Sequence, residues 1–232
     1  MFETHFKETS QSALSKSIQL IGLSLAIGVF GFAAPAFAQS DIFYDINGFS
    51  RIQAEAGMEV IYKPGSNYSV EASFENGVED ILRVKKRGST LYVGRKTKNG
   101  WADGTVSLTV TVTSPSITSI KANSGARVTA EGIDATDLII RAASGARVKA
   151  EGSCSILKSQ SDSGAMIDVS AVQCDQVVAK AYSGGELRVY AGSSITTRTD
   201  SGGIVRVYGS PEDRNVKAAK GYYGGRTTFE GT

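Results

Sequence analysis

Apolar residues in this chain recur at every second position in short runs, and no stretch after the first 38 residues carries helical spacing. The segments 49–52, 59–62, 68–71 and 91–93 read as short strands. Lys63-Pro64-Gly65-Ser66-Asn67 and Lys86-Arg87-Gly88-Ser89 read as turns between them. Over 106–112 the alternation is clean, with Val106, Leu108, Val110 and Val112 on one face and Ser107, Thr109 and Thr111 on the other.

After Ser114-Pro115 the pattern becomes periodic. Ser-Gly occurs at Ser124, Ser144, Ser163, Ser183 and Ser201, and Tyr223-Gly224 continues the series, at intervals of 18 to 22 residues. A period in this range signals a solenoid. Aligned on the turn, one inward column reads Val128, Val148, Ile167, Leu187, Val205, Thr227, and a second reads Ala130, Ala150, Val169, Val189, Val207, Phe229. A two-residue offset places both columns on one strand face, which a solenoid buries by stacking it rung on rung. Small residues precede each turn: Ala122, Ala142, Ser161, Ala181, Thr199 and Gly221. The glycine of each turn is expected to supply the positive φ at the corner.

The fold expected is all-β: a right-handed single-stranded β-helix, or β-solenoid, with rungs of about 20 residues. The repeat occupies 117–232, a less regular β segment fills 39–116, and the two form one continuous domain over 39–232. A β-sandwich is the competing architecture, but it does not produce such registered columns.

The first 38 residues read as an address. Lys7 and Lys16 lie in a polar region, 18–34 is apolar, and Ala36-Phe37-Ala38 has the small-x-small form that a signal peptidase reads. A membrane anchor is the alternative, since an apolar run of this length nearly spans a bilayer. Pro35 and the absence of a basic cluster beyond it favour a signal peptide over 1–38, cleaved after Ala38. The protein is then exported to the periplasm, the cell surface or the medium, with no membrane span left. Residue 39 is Gln rather than Cys, against lipoprotein processing.

Loss of the leader removes two of 25 basic and two of 23 acidic residues, so the net charge stays +2 and implies no nucleic-acid partner. It also removes His5, the only histidine. Ser-His-Asp triads, Cys-His pairs and histidine-ligated metals are thereby excluded, and no cofactor or metal site is expected.

At this point the chain resembles the head GIN domain family of putative autotransporter adhesins. The resemblance rests on Gly48-Phe49-Ser50-Arg51-Ile52, Val60-Ile61-Tyr62-Lys63-Pro64-Gly65, Tyr68-Ser69-Val70-Glu71, Leu91-Tyr92-Val93, Val110-Thr111-Val112 and the Ser-Gly-Ala-Arg-Val repeats. It covers about 45–232 and implies an extracytoplasmic β-helix-like domain with an adhesin role. These are diffuse β patterns and carry no catalytic signature. The chain also lacks room for a C-terminal translocator barrel, so it is not expected to be an autotransporter by itself.

The outward columns are where function would show. Three residues before each turn stand Lys121, Arg141, Gln160, Lys180, Arg198 and Lys220. Neighbours in such a line lie about 5 Å apart, and like charges so close repel unless an anion relieves them. A docking strip for an anionic polysaccharide or lipopolysaccharide is one reading; a solvated face, blunted by Asp162 and Asp200, is the other.

A second outward ladder runs Thr129, Lys149, Asp168, Arg188, Arg206, Thr228, flanked by Glu131, Glu151, Ser170, Tyr190, Tyr208 and Glu230. Arg188, Tyr190, Arg206 and Tyr208 form a candidate contact face for carbohydrate or protein, and equally a stacked patch that stabilises the sheet. Glu131 and Glu151 are expected to stack and are the foremost candidate for a catalytic carboxylate pair, but the same Ala and Gly flank both, as repeat copying would give. No catalytic residues are assigned.

Cys154 and Cys174 are one period apart and each lies nine residues before a Ser-Gly turn, so they are expected to meet on adjacent rungs within disulfide range. Unlinked thiols are the alternative, and export favours the bridge. The function these features support is a non-catalytic binding or adhesion module. The alternatives are a scaffolding envelope protein and, less favoured, a carbohydrate-active enzyme. An open C-terminal solenoid end also leaves self-association or docking of an envelope protein there as an expectation.

Overall fold

The computed structural model describes residues 39–75, 81–96, 108–219 and 224–230; they form fifteen strands and no α-helix. The expected signal peptide, Val106, Lys220, Gly221 and Tyr223 lie outside the described residues.

The repeat forms as the columns predict. β9 (Arg127–Ala142), β10 (Arg147–Ser161), β11 (Met166–Ala181) and β12 (Glu186–Thr199) each make one rung and pair in parallel. Within each rung the segment after the Ser-Gly turn joins a first sheet and the segment before the next turn joins a second. Val128 faces Val148, which faces Ile167, which faces Leu187, and Val205 of β13 (Ile204–Tyr208) follows. All five are buried. Burying an aliphatic side chain of this size contributes about 1.5–3 kcal/mol, so each rung adds a similar increment. The interior of the second sheet is less apolar: Ile140 gives way to Ser159, Ala179 and Thr197 in one buried column. The Thr197 and Thr227 hydroxyls hydrogen-bond across the narrow interior at 3.0 Å.

The turns differ from expectation in one respect: the serine takes positive φ as well as the glycine. Ser124 has φ 51° and Gly125 φ 74°, and Ala126 N–H donates to Asn123 O at 3.1 Å. Two positive-φ residues inside such a bond make a type I′ turn, whose twist matches that of the flanking strands. The N–H groups of Gly125, Gly145, Gly164 and Gly184 then donate to the serine carbonyl of the next rung, as Gly125 does to Ser144 at 3.0 Å.

The irregular segment contains a rung of its own. β2 (Arg51–Ala54) and β3 (Glu59–Pro64) flank Ala56-Gly57, which has the same paired positive φ, and Gly57 N–H donates to Ser124 O at 3.0 Å. The turn column therefore starts before the first Ser-Gly. The chain leaves this rung after Pro64 and returns through β7 (Leu108–Ser114) and β8 (Ser119–Ala122). β3 pairs with β7 and β9 in the first sheet, and β2 with β8 and with β6 (Thr90–Arg95) in the second.

Antiparallel strands close the N-terminal end. β4 (Ser69–Glu75) pairs with β7, and β1 (Gln39–Tyr44) pairs with β4; β5 (Leu82–Arg87) pairs with β6. At the other end β14 (Asp213–Ala218) ends the second sheet on β12, and β15 (Arg226–Phe229) ends the first on β13. Arg214 occupies an inward position on β14, opposite Ile195, and its guanidinium stands 4.4 Å over the Phe229 ring. This cation–π contact spans the two terminal strands at the end of the core, where the sequence showed no cap.

Candidate functional site

The two sheets present different outer faces. On the second, the register places Gln53, Lys121, Arg141, Gln160, Lys180 and Arg198 in one continuous column. The residue opposite Arg198 on the next strand is Lys217, three residues before the expected Lys220. Lys217 follows the Ser201 turn at a distance like that in the earlier rungs, so the offset lies after it: Tyr223 stands six positions after Lys217, where Ser201 stands three after Arg198. Lys121, Arg141, Lys180, Arg198 and Lys217 are all exposed, and none makes an ion pair among the described residues.

On the first sheet the expected column is also in register, Lys149 facing Asp168, then Arg188, then Arg206. Here the two arginines are neutralised. Arg188 pairs with Glu186 at 3.2 Å and Asp168 at 3.5 Å, and Arg206 pairs with Glu186 at 3.2 Å and Glu230 at 3.9 Å. The hydrogen bond to Glu186 holds the Arg188 guanidinium more firmly protonated than an ordinary arginine. Tyr190 faces Tyr208 in register, but the ring–ring contact of the described residues is Phe49 with Tyr68, not this pair. Tyr190 instead leans toward Gly209, where an added Cβ would come within 3.1 Å of its ring. Asp168, Arg188, Tyr190, Tyr208 and Glu230 line a shallow cleft of about 440 Å³ there.

The stacking of Glu131 and Glu151 is interrupted. The register between β9 and β10 shifts between Ala150 and Gly152, next to Gly132 with φ 59°. The bulge puts the two carboxylates outside the regular ladder.

The larger groove was not legible in the sequence. It measures about 890 Å³ and lies on the second sheet near its N-terminal end. Its floor includes Arg51, Tyr92, Lys121 and Arg141, and its wall includes Asp134 and Asp137. The groove exists because the first rung has no corner: the chain exits after Pro64, so the corner of β9 is the first in its stack. That corner pairs with β10 on one side and with no strand among the described residues on the other. It stands as a ledge over the floor strands.

Cys154 and Cys174 meet at this same corner stack one and two rungs on, and form a disulfide.

A family described as "Putative auto-transporter adhesin, head GIN domain" matches residues 48–211. No curated protein matches the chain. Among solved structures, a "putative adhesin" from Bacteroides fragilis is similar at 17% identity and TM-score 0.65, covering 85% of this chain and 99% of that one. A "putative adhesin" from Parabacteroides merdae is similar at 14% identity and TM-score 0.51, covering 84% and 96%. A "putative lipid binding protein" from Parabacteroides distasonis is similar at 13% identity and TM-score 0.52, with the same coverages. At these identities the likeness shows the fold.

Proposed function

Because the chain belongs to the family described as "Putative auto-transporter adhesin, head GIN domain", we propose that it is an exported, non-catalytic adhesion module whose second sheet docks an anionic glycan or envelope polymer. The observation that carries this reading is the contrast between the two faces. Arg188 and Arg206 on the first sheet are held by Glu186, Asp168 and Glu230, whereas the longer column Lys121, Arg141, Lys180, Arg198, Lys217 has no such neutralisers among the described residues. Rungs stacked about 4.8 Å apart keep these cations in a line, and an anionic polymer laid along it relieves their repulsion. The leader over 1–38 supports export, and β1 begins at Gln39, next to the expected cleavage site. The interruption between Glu131 and Glu151 gives no support to paired-carboxylate catalysis.

The test is a glycan array with the mature chain, followed by affinity measurements at low and high salt. Lipopolysaccharide belongs among the probes, since the name of the Parabacteroides distasonis relative refers to lipid binding. The expected result is binding to long anionic glycans that weakens with salt and falls about tenfold in Lys180→Ala/Arg198→Ala. Binding that ignores both salt and these substitutions overturns the ladder. Absence of glycan binding, with co-purification of an envelope protein, points to a scaffolding role instead.

A further inference from the structure

The groove beneath the β9 corner has a composition that differs from the rest of the basic column. Lys121 faces Arg141 on its floor, and Arg51 lies two residues before Gln53, which faces Lys121. Tyr92, opposite Gln53, adds an aromatic surface. Asp134 and Asp137, both exposed, stand on the wall of the same space. The three cations and two carboxylates share about 890 Å³, a volume within the range of small-ligand clefts. Farther along the column, Lys180, Arg198 and Lys217 face no such wall.

We infer that this groove is a binding site for a saccharide with sparsely spaced carboxylates, an oligouronate, rather than for a densely charged polyphosphate. The inference rests on the anionic-glycan reading and specifies its site. A carboxylate on one sugar accepts hydrogen bonds from Lys121 and Arg141. Hydroxyls of the same or the next sugar donate to Asp134 and Asp137, which have nothing to offer a phosphate oxygen but repulsion. Tyr92 supplies an amphipathic surface for the apolar side of a sugar ring. The backbone of the β9 corner, which pairs on this side with no strand among the described residues, adds donors and acceptors along the ledge. A polyphosphate, with a charge on every phosphorus and no hydroxyl between, brings some of those charges against the wall; a uronate chain spaces its carboxylates by whole sugar rings and can turn the ring hydroxyls to the wall instead.

The experiment uses the mature chain with tetrasaccharides of galacturonate, mannuronate and hyaluronan, their carboxyl-reduced forms, and inorganic polyphosphate, measured by calorimetry. At least one oligouronate is expected to bind and its reduced form to lose at least tenfold. Lys121→Ala/Arg141→Ala is expected to lose at least tenfold, with Arg51→Ala as an independent second variant. Asp137→Asn is expected to weaken oligouronate binding several-fold and to strengthen polyphosphate binding. Lys180→Ala/Arg198→Ala is expected to leave binding of these short oligomers, which seat in the groove, within twofold while still weakening long polymers that run on along the ladder. Polyphosphate binding more tightly than every oligouronate, or Asp137→Asn improving uronate affinity, overturns the inference. If uronate binding depends on Lys180 and Arg198 instead, the groove is refuted while the ladder stands. If no anion binds, both readings fall.

Discussion

Cys154 faces Cys174 across one full period of the repeat, with Cα atoms 4.6 Å apart, so their disulfide ties the corners of two adjacent rungs. The bond closes a 20-residue separation in the unfolded chain. By chain-entropy arguments such a closure contributes about 3 kcal/mol. Cys154→Ser/Cys174→Ser should therefore unfold at a distinctly lower temperature than the oxidised protein, and reductant should lower the melting temperature of the latter alone. Alkylation of both thiols in periplasmic material prepared without reductant would contradict the bridge.

The turn column makes opposite predictions for two neighbouring kinds of residue. Ser144 holds φ 54° with its side chain exposed, so Ser144→Gly should be neutral or stabilise by several tenths of a kcal/mol. Gly203 is buried, and a Cβ there would sit 2.1 Å from the Ala181 carbonyl oxygen. Gly203→Ala should cost about 1–3 kcal/mol through forced backbone movement. Urea titration of both variants checks the signs.

Neutralising the unpaired cations should stabilise the free protein. Lys180→Gln/Arg198→Gln removes facing like charges on adjacent strands and should raise the melting temperature at low salt. The gain should shrink as salt screens the repulsion. A destabilisation at low salt would mean that the column is held by partners other than solvent.

Glu186→Gln should act in the reverse direction. It leaves Arg188 and Arg206 opposite each other with one neutraliser fewer. The loss expected for this exposed network is about 0.5–1 kcal/mol, and it should grow at low salt. The sign of the pH effect follows from Arg188, whose raised folded-state value means its contribution is complete below the ordinary arginine range and is lost only as pH rises above it. Through that group, stability should show no slope between pH 6 and 9; thermal melts across this range read it.

How much of this was legible depended on whether neighbours in space were also neighbours in the repeat. The columns through Val128 and Val148, the ladder through Lys180 and Arg198, and the Cys154–Cys174 contact all follow from one period. The Ala56-Gly57 turn was missed because it carries no serine and stands 68 residues before its partner turn. The groove was missed for a related reason. It combines Arg51 and Tyr92 from outside the repeat with Asp137 from inside it, and no periodicity links them. Tyr190 shows a third limit: the register was predictable, but the ring's lean toward Gly209 depends on a missing side chain one rung away.

The displaced first rung also bears on the order in which the chain assembles. Val60 reaches across 68 residues to Val128, whereas Val128 reaches across 20 to Val148. The longer closure costs about 1 kcal/mol more in chain entropy. Contacts local in sequence form faster, so the repeat should nucleate first and the β2–β3 segment should dock onto it afterwards. Synthesis delivers the parts in the opposite order. The apolar strands of the N-terminal segment leave the ribosome early and wait for β9, which leaves a stretch of unsatisfied strand edge that a chaperone would recognise during export.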